Sequence, residues 1–119
     1  MIIDAHIHVG SAIYYGLPLP VQDIIALADE AEIEKVIASH FRAIWYDMRE
    51  GNAELARWTR QFRGRLYGYV GINSAAYGQL AIDELDRGLD DYGLVGVEVY
   101  TSEQCRLYDP QMKEILAHV

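Results

Sequence analysis

The feature that most constrains this chain is an alternation: short apolar runs of strand length, each followed by a segment with helical period. Met1-Ile-Ile-Asp-Ala-His-Ile-His-Val9 has the apolar density of a short buried strand, and Gly10 punctuates it. Pro18 and Pro20 can open a helix, and Val21, Ile24, Ile25, Ala28 and Ala31 then recur along one face. Lys35 to His40 forms a second apolar run. After a loop, Asn52 is placed to cap a helix whose buried stripe is Leu55, Thr59 and Phe62, with Gly64 suited to its C-terminal turn. Leu66 to Ile72, rich in β-favouring Tyr67, Tyr69 and Val70, is a third strand. Gln79 to Tyr92 is a third helix, with Leu80, Leu85 and Leu89 inward and a stop near Gly93; Leu94 to Tyr100 is a fourth strand. Strands that alternate with helices over short connections predict parallel βαβ units with right-handed crossovers.

The last segment sets the expected size. Asp109 and Pro110 make an N-cap and first helical position, and Met112, Ile115, Leu116 and Val119 mark an apolar stripe on which the sequence ends. Eight βα units in about 250 residues close a barrel. Four in 119 residues are therefore expected to be half of a TIM-like (β/α)8 barrel, a single partial domain cut within its fourth helix. The competing architecture is a small open parallel α/β sheet.

Composition narrows the functional classes. The chain is 51% hydrophobic with 24% charged residues, which is globular usage. One cysteine, Cys105, excludes an intrachain disulfide and agrees with a reducing, cytoplasmic setting; it has no neighbouring histidine or helix start to mark it as a nucleophile. No run approaches the roughly 18 apolar residues of a membrane span. A net charge of −8 disfavours nucleic acid, and Arg57, Arg60, Arg63 and Arg65 fall mostly on one solvated helix face. A small-molecule substrate is the expected partner.

The chemistry is carried by His6-x-His8. Side chains two apart on a strand share a face, so both imidazoles enter one space at the strand's carboxyl end, where barrel enzymes keep their active sites. A divalent metal shared by the pair is the reading; two histidines merely hydrogen-bonded on a strand is the plain alternative. Asp4, of the same parity but deeper, is read as a carboxylate bonding backbone or orienting the ligands. His40 ends the second strand, either as a substrate contact or as a histidine satisfied by loop backbone. The loop from Phe41 to Glu50 sets Trp45 and Tyr46 beside Arg42 and Arg49, which could receive a flat anionic substrate or simply pack the loop. His118 belongs to a surface or interface.

Met-Ile-Ile-Asp-Ala-His-Ile-His-Val-Gly resembles the opening of the amidohydrolase superfamily, in particular the amidohydrolase-2 branch of metal-dependent hydrolases and decarboxylases. Gly51-Asn52 through Arg63-Gly-Arg-Leu-Tyr-Gly-Tyr69 is similar to that branch's approach to its third strand. Tyr92 to Tyr100 followed by Tyr108-Asp-Pro110 is similar to its fourth strand and next helix. The resemblance implies a mononuclear site, usually zinc, where a water is activated and a carbonyl polarised. His6 and His8 match its first ligands. The others, a histidine on strand five, often one on strand six and an aspartate on strand eight, have no counterpart here. It follows that these 119 residues alone should bind metal weakly and catalyse little. Glu98 lies near the position where binuclear relatives use a carboxylated lysine, as a bridging carboxylate or a plain paired glutamate. The expected activity is a metal-dependent hydrolase in the complete barrel; a non-oxidative decarboxylase, a phosphoesterase-type barrel and an inactive half-barrel assembly unit are the alternatives. A half-barrel with open edges is expected to form a homo-oligomer or to associate with the missing half.

Overall fold

The computed structural model describes residues 1–12, 16–73, 78–100 and 106–119; Cys105 lies outside them. The described strands are β1 (Ile3–Ala12), β2 (Leu17–Leu19), β3 (Lys35–His40), β4 (Leu66–Ile72) and β5 (Gly96–Val99). The helices are α1 (Val21–Glu30), α2 (Phe41–Trp45), α3 (Met48–Gln61), α4 (Gln79–Asp86), continued by a π-helical turn Arg87–Asp91, and α5 (Pro110–His118). The strands form one sheet in the order β2-β1-β3-β4-β5.

That order decides the architecture. β1, β3, β4 and β5 are parallel and lie side by side in sequence order. A doubly wound sheet reverses its order at a switch point and puts helices on both faces. Among the described residues the helices cover one face only: Val9, Val36, Ala38, Leu66, Val70 and Ile72 form the core with Val21, Ile25, Leu55, Leu85 and Ile115. The alternating residues Lys35, Ile37, Tyr67, Tyr69, Gly96 and Glu98 stay partly exposed on the other face. The fold is a four-unit stretch of barrel wall, as the alternation predicts.

Several local expectations are corrected. The first strand does not end before Gly10. It runs to Ala12 and turns back into β2, an antiparallel hairpin pairing Gly10 with Leu19 and Ala12 with Leu17. Gly10 has φ +88° and lies against the His40 imidazole, where a Cβ would come within 2.4 Å of the ring. The loop after the second strand contains α2. Helix α3 starts earlier than read: Asp47 caps it, its Oδ1 accepting from the Glu50 N–H at 3.0 Å. Asn52 is therefore no cap but a fully buried interior residue. Its Nδ2 donates to the Gly71 carbonyl and to Glu84 Oε1, both at 3.0 Å, and its Oδ1 accepts from the Gly71 N–H at 2.9 Å. This amide ties α3 and α4 to the middle of the sheet. Leu80 is exposed, and the inward face of α4 is Ala81, Glu84 and Leu85. In α5, Met112 and Ile115 are buried while Leu116 is exposed, as is Val119 just past its end, and His118 pairs with Asp86 of α4 at 2.5 Å.

Candidate metal centre

His6 and His8 reach the uncovered face because their neighbours do the opposite. Ile7 and Val9 turn into the helix-backed core, so the intervening residues turn out of it. In the sheet His8 lies beside Ser39 of β3. Glu98 arrives from β5, flanked by Val97 and Val99, which pack on the core. A carboxylate between two inward valines therefore has to leave on the concave side.

These residues meet. His8 Nε2 is 3.1 Å from Glu98 Oε1, and His6 Nε2 is 3.2 Å from Glu98 Oε2. The Ser39 hydroxyl, fully buried, donates to Glu98 Oε2. One ligand atom from each of His6, His8 and Glu98 falls within 4.8 Å of the others, the one such group of three among the described residues. Burial acts to raise the Glu98 pKa, but hydrogen bonds from His8 and Ser39, the charge of His8 and the bond from His6 together hold it at about 2. The carboxylate is thus ionised throughout the physiological range.

Asp4 is not on this face. One extra residue is inserted in β1 between Asp4 and Ile7, so Asp4 pairs with the core residue Val36 rather than continuing the parity of the histidines. Its Oδ1 accepts from the His6 backbone N–H at 3.2 Å. It holds the His6 main chain, one of the backbone roles read for it from the sequence.

The predicted substrate residues separate. His40 pairs with Val9 and turns to the helix side, 2% exposed. Its ring stacks on Trp58 at 5.1 Å, and its Nδ1 accepts from the Arg42 N–H at 3.0 Å. Its Nε2 lies 3.1 Å from Glu54 Oε2, but off the line of a well-directed hydrogen bond. The open face is out of its reach because odd and even strand positions point opposite ways. Tyr46 lines a cleft of about 480 Å³ between α3 and α4 that contains none of the three centre residues. Trp45 is close to the centre: it packs on Phe41 at 4.8 Å, and Phe41 stacks on His8 at 4.7 Å with 16° between planes. Tyr100 meets Trp45 edge-on at 6.1 Å. Phe41, Trp45 and Tyr100 make an aromatic shelf beside His8. The sequence offers Glu98 only as a bridging carboxylate or a plain paired glutamate, a lone acid between valines at a strand's carboxyl end, and does not single out Ser39 or Phe41.

No family model matches this sequence, and no curated protein matches it. Solved structures do match. A dihydroxybenzoic acid decarboxylase from Polaromonas, solved with manganese and an inhibitor, superposes with a TM-score of 0.79 at 20% identity, over 98% of this chain and 45% of that one. A 5-carboxyvanillate decarboxylase from Novosphingobium aromaticivorans, with bound manganese, gives 0.78 at 16% identity, over 99% and 47%. A Staphylococcus aureus protein described as an amidohydrolase gives 0.77 at 13% identity, over 98% and 43%. The chain spans a little under half the length of these structures. At such identities the likeness is one of fold: the 119 residues share the architecture of a little under half of a TIM barrel.

Proposed function

We propose that this chain is the first half of a metal-dependent barrel enzyme of the amidohydrolase type, which adds water to a carbonyl or related carbon of a small-molecule substrate. The observation that carries this reading is the convergence of His6, His8 and Glu98 at the carboxyl ends of parallel strands, the end at which barrel enzymes build their active sites. Two imidazole nitrogens and an ionised carboxylate suit a borderline divalent cation; zinc is our preferred ion, and manganese, present in three of the matched structures, is the alternative. A cation bound there supplies Lewis acidity, lowering the pKa of a water and polarising a carbonyl. The residues of this chain bind and orient: Phe41 holds the plane of the His8 ring, and Trp45 with Tyr100 presents an apolar wall to a flat substrate.

Non-oxidative decarboxylation is the second reading, favoured by the decarboxylases among the matched structures. It uses the same residues. Assays of the complete barrel decide between them: hydrolysis of aryl amides and lactones against carbon dioxide release from aromatic acids, each compared in wild type, the His6→Ala/His8→Ala variant and Trp45→Ala. Both readings require activity and metal to be lost together in the double variant, and Trp45→Ala to change KM with metal retained. Metal content unchanged in the double variant, or turnover confined to phosphodiesters, overturns the proposal.

The same reading assigns a partner. Among the described residues, the outer edges of β5 and of the Ile3–Val9 stretch of β1 have no strand beside them, and the concave face has no covering layer. We assign these surfaces to a second half-barrel, either a further copy of this chain or the complementary half of the enzyme.

A further inference from the structure

A catalytic barrel metal normally has three protein ligands and one open position. The sequence reading finds two in this chain, with the rest expected from later strands. We propose that Glu98 is the third ligand, so that the 119 residues hold one divalent cation through His6 Nε2, His8 Nε2 and a Glu98 carboxylate oxygen, with no ligand from outside the chain. This rests on the reading of the histidine pair as a metal centre, and adds to it the completeness of the site.

The first support is distance. Bonds of roughly 2.0–2.1 Å at tetrahedral angles put neighbouring ligand atoms about 3.3 Å apart. His8 Nε2 stands 3.1 Å from Glu98 Oε1 and His6 Nε2 3.2 Å from Oε2, and one ligand atom from each of the three residues lies within 4.8 Å of the others, a spacing that small side-chain rotations bring to that of one face of such a polyhedron. The second support is topology. β1 and β5 are separated by β3 and β4, three strand spacings or roughly 14 Å along the sheet. Side chains from both meet because the wall is concave and they project from it toward a common point. The third is the backing of the carboxylate. Buried Ser39 donates to Oε2, fixing the rotamer and leaving lone pairs of Oε1 directed toward His8. This is the arrangement by which outer hydrogen bonds aim a ligating carboxylate. Ser39 is thus a positioning residue for the centre, from a strand that contributes no ligand.

The test is cation binding by the purified 119-residue chain, stripped with chelator and titrated with Zn²⁺, Mn²⁺ and Co²⁺. Stoichiometry is read by elemental analysis, and the donor set by the visible spectrum of the cobalt form. The wild type is expected to bind one cation per chain. Glu98→Gln, nearly isosteric but uncharged, should lose at least tenfold in affinity and alter the cobalt bands; Ser39→Ala should lose roughly ten- to hundredfold, the usual cost of removing an orienting partner. Glu98→Asp, which keeps the charge on a shorter arm, should fall between wild type and Glu98→Gln. Circular dichroism on each variant checks that the fold is kept, and Glu98→Asp with Ser39→Ala supplies the answer if Glu98→Gln does not fold. Wild-type affinity and spectrum in Glu98→Gln, together with loss of metal in His6→Ala/His8→Ala, would overturn the third ligand and leave the histidine centre standing. Metal bound by the complete barrel but not by this chain would do the same. Full binding in the histidine double variant would overturn both.

Discussion

Lowering the pH from 7.5 to 5 should destabilise this protein through His40. Burial is the main force on its imidazole, reinforced by the Arg42 and Arg57 charges and opposed by Glu54, and it lowers the pKa from 6.5 to about 4. The unfolded ring takes up a proton as pH falls through 6.5, while the native ring stays neutral until about 4. Unfolding therefore absorbs a proton in this window, and acid favours the unfolded state. The contribution is fully present above 6.5 and fully lost below 4. At about 1.36 kcal/mol per pH unit, the loss is about 2 kcal/mol by pH 5 and on the order of 3 kcal/mol by pH 4. Glu98, held at about 2, does not titrate in this range. The assay is urea unfolding in chelator at pH 7.5 and 5, for wild type and His40→Phe, whose ring can keep the stacking on Trp58 but carries no proton. The wild-type midpoint should fall by roughly 1 M more than that of the variant. An equal fall in both would refute the reasoning, because His40 would then titrate alike in the native and unfolded chains.

Two further outcomes follow from the packing. Asn52→Ala removes three buried hydrogen bonds and leaves both backbone groups of Gly71 and one oxygen of Glu84 without that partner; a loss of roughly 2–4 kcal/mol is expected in urea unfolding, and a loss below 1 kcal/mol would show that water replaces the amide. The chain alone should scatter light as a dimer or larger species at about 10 µM, since an uncovered concave face and two open edges favour association; a monodisperse monomer that binds no apolar dye would refute the second-half assignment.

Local pattern alone makes the class of fold legible, and with it the placement of His6 and His8 on one face of the first strand. The strand and helix periods of its alternating segments specify βα units, because they reflect which face of each element must be buried, and that is a local property. His6-x-His8 is legible for the same reason: two residues on one strand share a face whatever surrounds them. Even there the count failed for Asp4, since an inserted residue in β1 shifts parity without any mark in the composition. His40 illustrates the other limit. Its position at a strand's carboxyl end was visible, but its side depends on register, and Val9 beside it takes it into the core. Asn52, a plausible cap by residue type, became a buried crosslink because Asp47 upstream caps the helix first. Glu98 stands 90 residues from His8. No local pattern joins two such positions; only the curvature of the parallel sheet brings the carboxyl ends of β1 and β5 to one point, and curvature belongs to the whole set of strands rather than to any one of them.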